Sequence, residues 1–472
     1  MHEDLRAFIA DVERRGMLRR VHGADPAIEI GGITEVAAGQ PDCPALLFDD
    51  IKGFPRGFRI FTNATTNVSR AALALGLDPD MRPLDTLKAW MQKRQTLQSH
   101  QPAPVRDAPF LQNSFSGADV DLSRLPAPLW HAGDGGPYLG SGSIVVMRDP
   151  AGGWINASIY RVQVHSKDRV TIQFDHPGRH GAMIARQYWD EGRPCPVAVV
   201  NGIEPALFIA GFEYLPPGQS EYAFAGAIKG APLEVIDGPV TGLPIPAQAE
   251  IILEGDLLPP SSETLPEGPF GEFTGYYAAE KRPCPVMLVR AVHHRDDPIL
   301  LGSPPMKPPR FHFGLPFRAA GIWSNLEAAG VTDVVGVWQH VSQLMTVVAL
   351  KQRYDGHAKR AGLIAAAQSY MGRLVVTVDE DVDPSDLNDV MWAITTRCEP
   401  SEQIDIVRGA WSSALDPRIP EEDKKAGITA HSKAVIDACR PFRWFDRFPK
   451  TSALSADETR AIEAKWGKVL RK

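Results

Sequence analysis

Between residues 115 and 300 the chain is cut into short apolar runs by Pro and Gly, punctuation that long helices do not survive. The runs fall at 143–147, 154–165, 170–174, 197–201, 233–235, 249–254 and 286–292. Most are rich in Val, Ile and Leu and have the length of a strand. Pro and Gly, 41 of each, are densest in the middle of the chain, which reads as many turns rather than disorder. Helices fit at 181–190 and 220–229. Many short strands with few long helices predict a β-barrel or a sandwich.

The flanks carry other periodicities. Residues 4–15 put Leu5, Phe8, Ile9 and Val12 on one helical face, stopped by Gly16. Strands are expected at 46–48 and 58–61, helix over 66–96 with interruptions near Pro79 and Pro83, and a linker at Gln101-Pro-Ala-Pro104. Toward the other end, a strand at 345–350, a helix at 355–371, a strand at 374–378 and a helix at 384–396 give a βαβ rhythm. A last helix over 458–470 is opened by a capping box of Ser455 and Glu458. Its stripe of Ile462, Trp466, Val469 and Leu470 should dock on a partner or on the chain's own first domain. A length of 472 residues suggests two or three domains. The divisions read as an N-terminal α/β unit at 1–110, a strand-rich domain at 111–302, a crossover at 303–318, an α/β domain at 319–450 and the terminal helix at 451–472.

Composition excludes several classes. A net charge of −7 without a basic run argues against nucleic-acid binding. No apolar run approaches the roughly 18–20 residues of a membrane span. The acidic start, Met-His-Glu-Asp, does not read as a secretory leader, so a cytoplasmic location is expected. Cys43, Cys195, Cys284, Cys398 and Cys439 are scattered without a CxxC pair and read as lone buried thiols.

Candidate chemistry centres on Glu267-Gly-Pro-Phe-Gly-Glu272. Two carboxylates flank a bend beside Phe273, Tyr276 and Tyr277, an arrangement suited to pKa tuning, although an acidic surface loop would look the same. Asn156, His180 and Glu221 offer oxygen and nitrogen ligands of the kind Mn²⁺ or Mg²⁺ takes. Their spacing equally fits a strand Asn, a loop His and a Glu at a helix start. The adjacent His293 and His294 would point to opposite faces of a strand. No G-x-S-x-G elbow, Rossmann fingerprint or P-loop occurs.

Six segments in order resemble the UbiD-like decarboxylases. They are Asn156-Ala-Ser-Ile-Tyr-Arg161, Ser220-Glu-Tyr-Ala-Phe-Ala-Gly226, Pro246-Ala-Gln-Ala-Glu-Ile-Ile-Leu-Glu254, Glu267-Gly-Pro-Phe-Gly-Glu272, Lys351-Gln-Arg-Tyr-Asp-Gly-His-Ala-Lys359 and Asn388-Asp-Val-Met-Trp-Ala-Ile-Thr-Thr-Arg397. The resemblance implies an α+β multi-domain protein. Its centre would be a split β-barrel binding prenylated FMN, flanked by the N-terminal α/β unit and by a C-terminal α/β domain with a terminal docking helix.

The resemblance also implies roles. Arg161, Glu267 and Glu272 match the family's Arg-Glu-Glu network, with Glu272 as proton donor and Glu267 holding Arg161. Asn156, His180 and Glu221 match ligands of a divalent metal, Mn²⁺ or Mg²⁺, that bridges to the flavin phosphate. A K⁺ ion is expected near the Trp154 carbonyl. Lys351 matches a phosphate-contacting lysine, and Ser158, Ile159, Arg161 and Arg179 are expected along the cofactor. Phe273, Arg179 and the 304–317 crossover would shape the pocket, with Lys307, Arg310 and His312 as candidates for a second polar group on the substrate.

The implied reaction is reversible decarboxylation of an aromatic, heteroaromatic or α,β-unsaturated acid, releasing CO₂. A flavin prenyltransferase would supply the cofactor, and the assembly would be a homodimer or higher homo-oligomer. The alternatives are a carboxylase running in reverse, a split-barrel FMN oxidoreductase, and a non-catalytic assembly protein. One geometric demand follows. Asn156 and Arg161 lie five residues apart, so a straight strand would set them on opposite faces. If both reach one cofactor, the strand must break or bulge between them.

Overall fold

The strand Cys195–Asn201 shows how the central stretch folds. Val197 and Val199 enter one core while Ala198 and Val200 enter another, because successive side chains leave a strand on opposite faces. The neighbouring strand Ser143–Arg148 divides in the same way, Ile144 and Val146 against Val145 and Met147. A sheet apolar on both faces must be covered on both. One core gathers Tyr138, Tyr160, Val162, Phe270 and Met287 from around the sheet. The other packs against helices Pro205–Phe212 and Glu221–Lys229 and the N-terminal region.

This computed structural model describes the chain except residues 175–176, 214, 278, 310–312, 453, 455 and 471–472. The main path of the central sheet runs Ile155–Ile159, Ser143–Arg148, Cys195–Asn201, Ile251–Leu257, Arg282–His294, Arg169–Gln173, Arg161–Val164, every neighbour antiparallel. Its two outermost strands are consecutive in sequence, with Tyr160 alone between them. The sheet therefore curls until its edges meet at one residue, forming a half-barrel with a covalent seam. A register shift at Glu254 and Gly255 supplies part of the curl. Gly255 is required there, since a Cβ would lie 2.0 Å from the Leu288 carbonyl oxygen. The break demanded between Asn156 and Arg161 is this seam.

The first helix, Leu5–Arg14, buries the four expected residues, and Asp4 caps it by accepting from the Ala7 N–H. The N-terminal sheet orders Leu18–His22, Ala45–Asp49, Arg59–Thr62 and Ile299–Gly302. Its fourth strand comes from the end of the span read as the barrel domain and lies parallel to Arg59–Thr62. The strand Leu18–His22 and the helix Glu29–Ala38 were not legible in the sequence. The expected linker is also structured, because Ala103–Pro104 pairs with Glu234–Asp237.

The C-terminal region is a five-stranded sheet ordered Val334–His340, Met345–Leu350, Leu374–Asp379, His431–Asp437, Ile404–Ala410. Helix His357–Gln368 makes the expected crossover and helix Leu387–Arg397 follows. The terminal helix Ala456–Leu470 is present, but Ile462, Trp466 and Val469 are 41%, 50% and 64% exposed, so this stripe does not dock on the chain's own first domain. Ser455 and the Leu470 side chain lie outside the described residues. Three of the cysteines are buried as expected, whereas Cys43 and Cys398 are only half-buried.

Barrel and N-terminal sheet meet without clearance at Gly142, where a Cβ would fall 1.7 Å from the Leu301 carbonyl oxygen. Gly142→Ala should destabilise the protein by about 1–3 kcal/mol through overpacking. Calorimetry should show the thermal midpoint falling by several degrees.

Candidate active site

Arg161 is the first residue past the seam. Its side chain meets two carboxylates brought by a different element. Glu267 ends the strand Thr264–Glu267, which pairs with Arg282–His294. The chain then turns through Gly268, whose φ of +86° is one that side chains resist, and returns Glu272 to the same place. Three contacts clamp this turn. Gly268 N–H donates to Gln163 Oε1 at 3.0 Å, Gly271 N–H to Asp134 Oδ1 at 2.9 Å, and Gly135 N–H to the Pro269 carbonyl at 2.7 Å.

The guanidinium spans the two acids. Nη2 donates to Glu267 Oε2 at 3.0 Å and Nη1 to Glu272 Oε1. The Phe270 ring lies 5.0 Å from the guanidinium carbon, close enough for a cation–π contact. The two glutamates differ in surroundings. Glu267 is 1% exposed, and the Tyr138 hydroxyl reaches its Oε1 at 3.1 Å while sharing its hydrogen with Gln163 Oε1 at 3.2 Å. Burial and the Glu267 charge push the Tyr138 hydroxyl far above its ordinary range, so it remains a donor. Glu272 instead lines a cavity of about 1020 Å³, together with Arg161, Ile159, Arg179, Phe270 and Phe273. Residues of the N-terminal and C-terminal regions, Thr66 and Trp338 among them, complete its walls.

On the other side of the seam, Asn156 Nδ2 donates to Glu221 Oε1 at 2.9 Å and to Ser158 Oγ at 2.9 Å. Glu221 opens its helix and also accepts the Ala157 N–H at 3.1 Å. Asn156 Oδ1 is buried and has no hydrogen-bond partner. Burial pushes the Glu221 carboxyl above its ordinary range. An orphaned amide oxygen beside a desolvated carboxylate fits a divalent cation, which would satisfy one and neutralise the other. Among the described residues no group of three His, Cys, Asp or Glu side chains converges, so an ion here would depend on the Asn156 amide. His180 begins the helix His180–Asp190 and packs edge-on against Trp154 at 4.9 Å. Burial and then Arg179 hold its imidazole below the ordinary range, in the neutral form a ligand needs. The Trp154 carbonyl already accepts the Asp149 N–H at 2.7 Å.

Arg179 lies over the Tyr160 ring at 5.1 Å and donates to the Ile159 carbonyl at 3.3 Å. The 304–317 crossover contributes Pro305, Pro309 and Phe313 to the cavity. Lys307 is exposed and absent from the lining, and Arg310 and His312 lie outside the described residues. Lys351 is exposed past the end of strand Met345–Leu350 and is likewise not on the cavity wall. Tyr138 and Gln163 were missed from the sequence. Gln163 had a signal, since it lies two residues from Arg161 on the same strand face. Tyr138, 129 residues from Glu267, had none.

The fold is a curled half-barrel between two α/β regions, with Arg161 and Glu272 on the wall of a large cavity. Comparison with known proteins narrows this. The chain matches, in order, the N-terminal domain of the 3-octaprenyl-4-hydroxybenzoate carboxy-lyases at residues 9–90, their Rift-related domain at 103–308 and their C-terminal domain at 312–438. It therefore belongs to the UbiD family of carboxy-lyases. It is 32% identical over 463 residues to the phenolic acid decarboxylase of Bacillus subtilis (strain 168), covering 93% of each chain. It is 33% identical over 458 residues to that of Streptomyces sp. (strain D7), covering 93% of this chain and 92% of the relative. Among solved structures, the UbiD-class enzyme HmfF from Pelotomaculum thermopropionicum, in complex with FMN, matches with TM-score 0.83 and 28% identity, covering 96% of this chain and 98% of that one. The open form of Sedimentibacter hydroxybenzoicus vanillic acid decarboxylase matches with TM-score 0.82 and 28% identity, covering 100% and 99%.

Tyr138→Phe removes a donor from a buried carboxylate without changing shape. The expected cost is about 1–3 kcal/mol of stability. Urea unfolding of the variant checks this, and an unchanged midpoint would show that Glu267 does not rely on the hydroxyl.

Proposed function

We propose that the chain catalyses non-oxidative decarboxylation of an aromatic, heteroaromatic or α,β-unsaturated carboxylic acid on prenylated FMN, with Glu272 as proton donor. The observation that carries this reading is the unequal placement of the two glutamates around Arg161. Glu272 lines the cavity, whereas Glu267 is buried behind Arg161 against Tyr138. Proton delivery needs the acid that faces the cavity, and holding the arginine needs the one enclosed behind it.

The charge balance supports the assignment. Two carboxylates and one guanidinium sum to −1 when all are ionised. A substrate carboxylate entering the cavity makes it −2 in a poorly solvated space, and the least costly relief is a proton on Glu272. Substrate binding thus arms the donor. The C–CO₂ bond then breaks, and a C–H bond forms with the proton from Glu272, whose carboxylate is left beside Arg161. Prenylated FMN, when bound, would supply the electron sink for the pair that stays on the substrate carbon as CO₂ leaves. The carboxylating direction uses the same groups in reverse.

Ser158, Ile159, Arg161 and Arg179 would lie along the flavin. Asn156 and Glu221, with His180, would hold Mn²⁺ or Mg²⁺ against its phosphate, and a K⁺ ion could use the remaining lone pair of the Trp154 carbonyl. Related structures lend support. HmfF is described in complex with FMN, and an evolved dimeric form of it in complex with prFMN. A flavin prenyltransferase would supply the cofactor, and a second copy of the chain would complete the assembly.

Co-expression with a flavin prenyltransferase, followed by a visible spectrum and CO₂ release on a panel of aromatic acids, tests the activity. Glu272→Gln should lower turnover by about 10²–10⁴-fold or more while the flavin stays bound. A fully active variant would refute its role. Chelation, or Asn156→Ala, should lower the flavin-to-protein ratio, because the phosphate and Glu221 would then repel each other. Equal flavin retention with and without metal would sink the bridging role.

A further inference from the structure

Arg70, on helix Val68–Ala74, is a fully buried cation held chiefly by backbone. Its Nε donates to the Asn63 and Ala64 carbonyls, both at 3.1 Å, and Nη2 to the Asn63 carbonyl at 2.8 Å. Those bonds use one edge of the guanidinium. At its end, Nη2 also stands 3.9 Å from Cys43 Sγ, and Nη1 is buried with no hydrogen-bond partner. A guanidinium is planar, so the second hydrogen of Nη2 and one hydrogen of Nη1 run parallel. Nη1 therefore opens on the same side as the sulfur. Burial pushes the guanidinium below its ordinary range, and Cys43 leads the groups that oppose the shift. Asp42, the other, is exposed and paired with Arg19 at 3.2 Å.

Cys43 can be reached from outside. It is half-buried, lies just before strand Ala45–Asp49, and lines the cavity. The other thiols are set differently. Burial pushes Cys195 and Cys284 up to about 12, and Cys439 well above its ordinary range. Cys398, also half-buried, is raised by burial and then by Asp437 and Glu399. A cation beside sulfur favours the thiolate, which is the nucleophile, whereas neighbouring carboxylates favour the inert thiol. One sulfur atom cannot answer two parallel donors. An anion with two adjacent acceptor atoms can, as a carboxylate does for arginine. Adding one oxygen to the sulfur makes such an anion.

We propose that Cys43 is a site of oxidation to the sulfenate by a hydroperoxide arriving through the cavity, with Sγ on Nη2 and the added oxygen accepting from Nη1. The thiol first gives its proton to solvent. A sulfur lone pair then attacks one peroxide oxygen, and the S–O bond forms as the O–O bond breaks. With hydrogen peroxide, the leaving hydroxide takes the proton of the new S–OH group and departs as water. Sulfur loses two electrons, and the peroxide gains them. The step needs neither the flavin nor Glu272.

The full chain, reduced and then freed of reductant, would be treated with hydrogen peroxide in the presence of dimedone, which traps sulfenic acids. Peptide mass spectrometry then reads each cysteine. Cys43 should gain the adduct at least roughly 10-fold faster than Cys398, the internal reference of similar exposure. Cys43→Ser should lose that adduct alone. Arg70→Met, once a melting curve shows it folded, should slow labelling at Cys43 by about 10-fold and leave Cys398 unchanged. An unaltered rate at Cys43 would overturn the role of the guanidinium. If that variant does not fold, the comparison of Cys43 with Cys398 in the wild type decides alone. Equal labelling of the two, or none at Cys43, overturns the proposal. So does rapid alkylation of Cys43 by iodoacetamide without any dimedone adduct, which would leave a nucleophile that peroxide does not oxidise.

Discussion

The two edges of the central sheet are joined by Tyr160, and the rest of the site depends on that closure. The residue is well anchored. Its ring stands edge-on to Phe174 at 5.0 Å, its hydroxyl accepts the Gly181 N–H at 3.0 Å, and the Arg179 guanidinium covers its face. Because the strand ends on one side and restarts on the other, Asn156 and Ser158 belong to one edge and Arg161 and Gln163 to the opposite edge. Residues that a flat sheet would place at its far ends become neighbours. The Asn156–Glu221 pair and the acid pair around Arg161 are thereby set a few residues apart without any long loop.

The arrangement around Arg161 has a physical cost that its surroundings offset. Burying a guanidinium between two carboxylates forfeits hydration worth several kcal/mol per ion, which hydrogen bonds around the ions partly offset. The turn and its neighbours supply several of them. Gln163 holds the backbone at Gly268, Asp134 that at Gly271, and Tyr138 the far oxygen of Glu267. Glu267 is thus committed to structure, while Glu272 remains at the cavity. The cavity itself takes walls from all three regions of the chain, so its shape is a property of their packing rather than of the barrel alone.

Much of this was legible in the sequence because it depends on local pattern. The central strands announced themselves by apolar runs between Pro and Gly, and the first helix by Leu5, Phe8, Ile9 and Val12. The need for a break between Asn156 and Arg161 followed from strand geometry once the family resemblance set both toward one cofactor. What stayed hidden depends on distant partners. Ala103–Pro104 looked like a linker because its pairing partner lies some 130 residues away, at Glu234–Asp237. Ile299–Gly302 looked like the end of the barrel because nothing local shows that it pairs with Arg59–Thr62. Tyr138 is an ordinary residue in sequence, and only its buried surroundings distinguish it.

The return of Ile299–Gly302 to the N-terminal sheet has a consequence for how the molecule is made. The first three strands of that sheet leave the ribosome early, yet the edge beside Arg59–Thr62 stays open until more than two hundred further residues have been synthesised. Domains usually complete themselves in order of synthesis. Here the first one cannot. Its last strand arrives after the half-barrel has been threaded between, so the two must mature as one unit, and a gene fragment ending near residue 110 would encode a sheet with an unprotected edge.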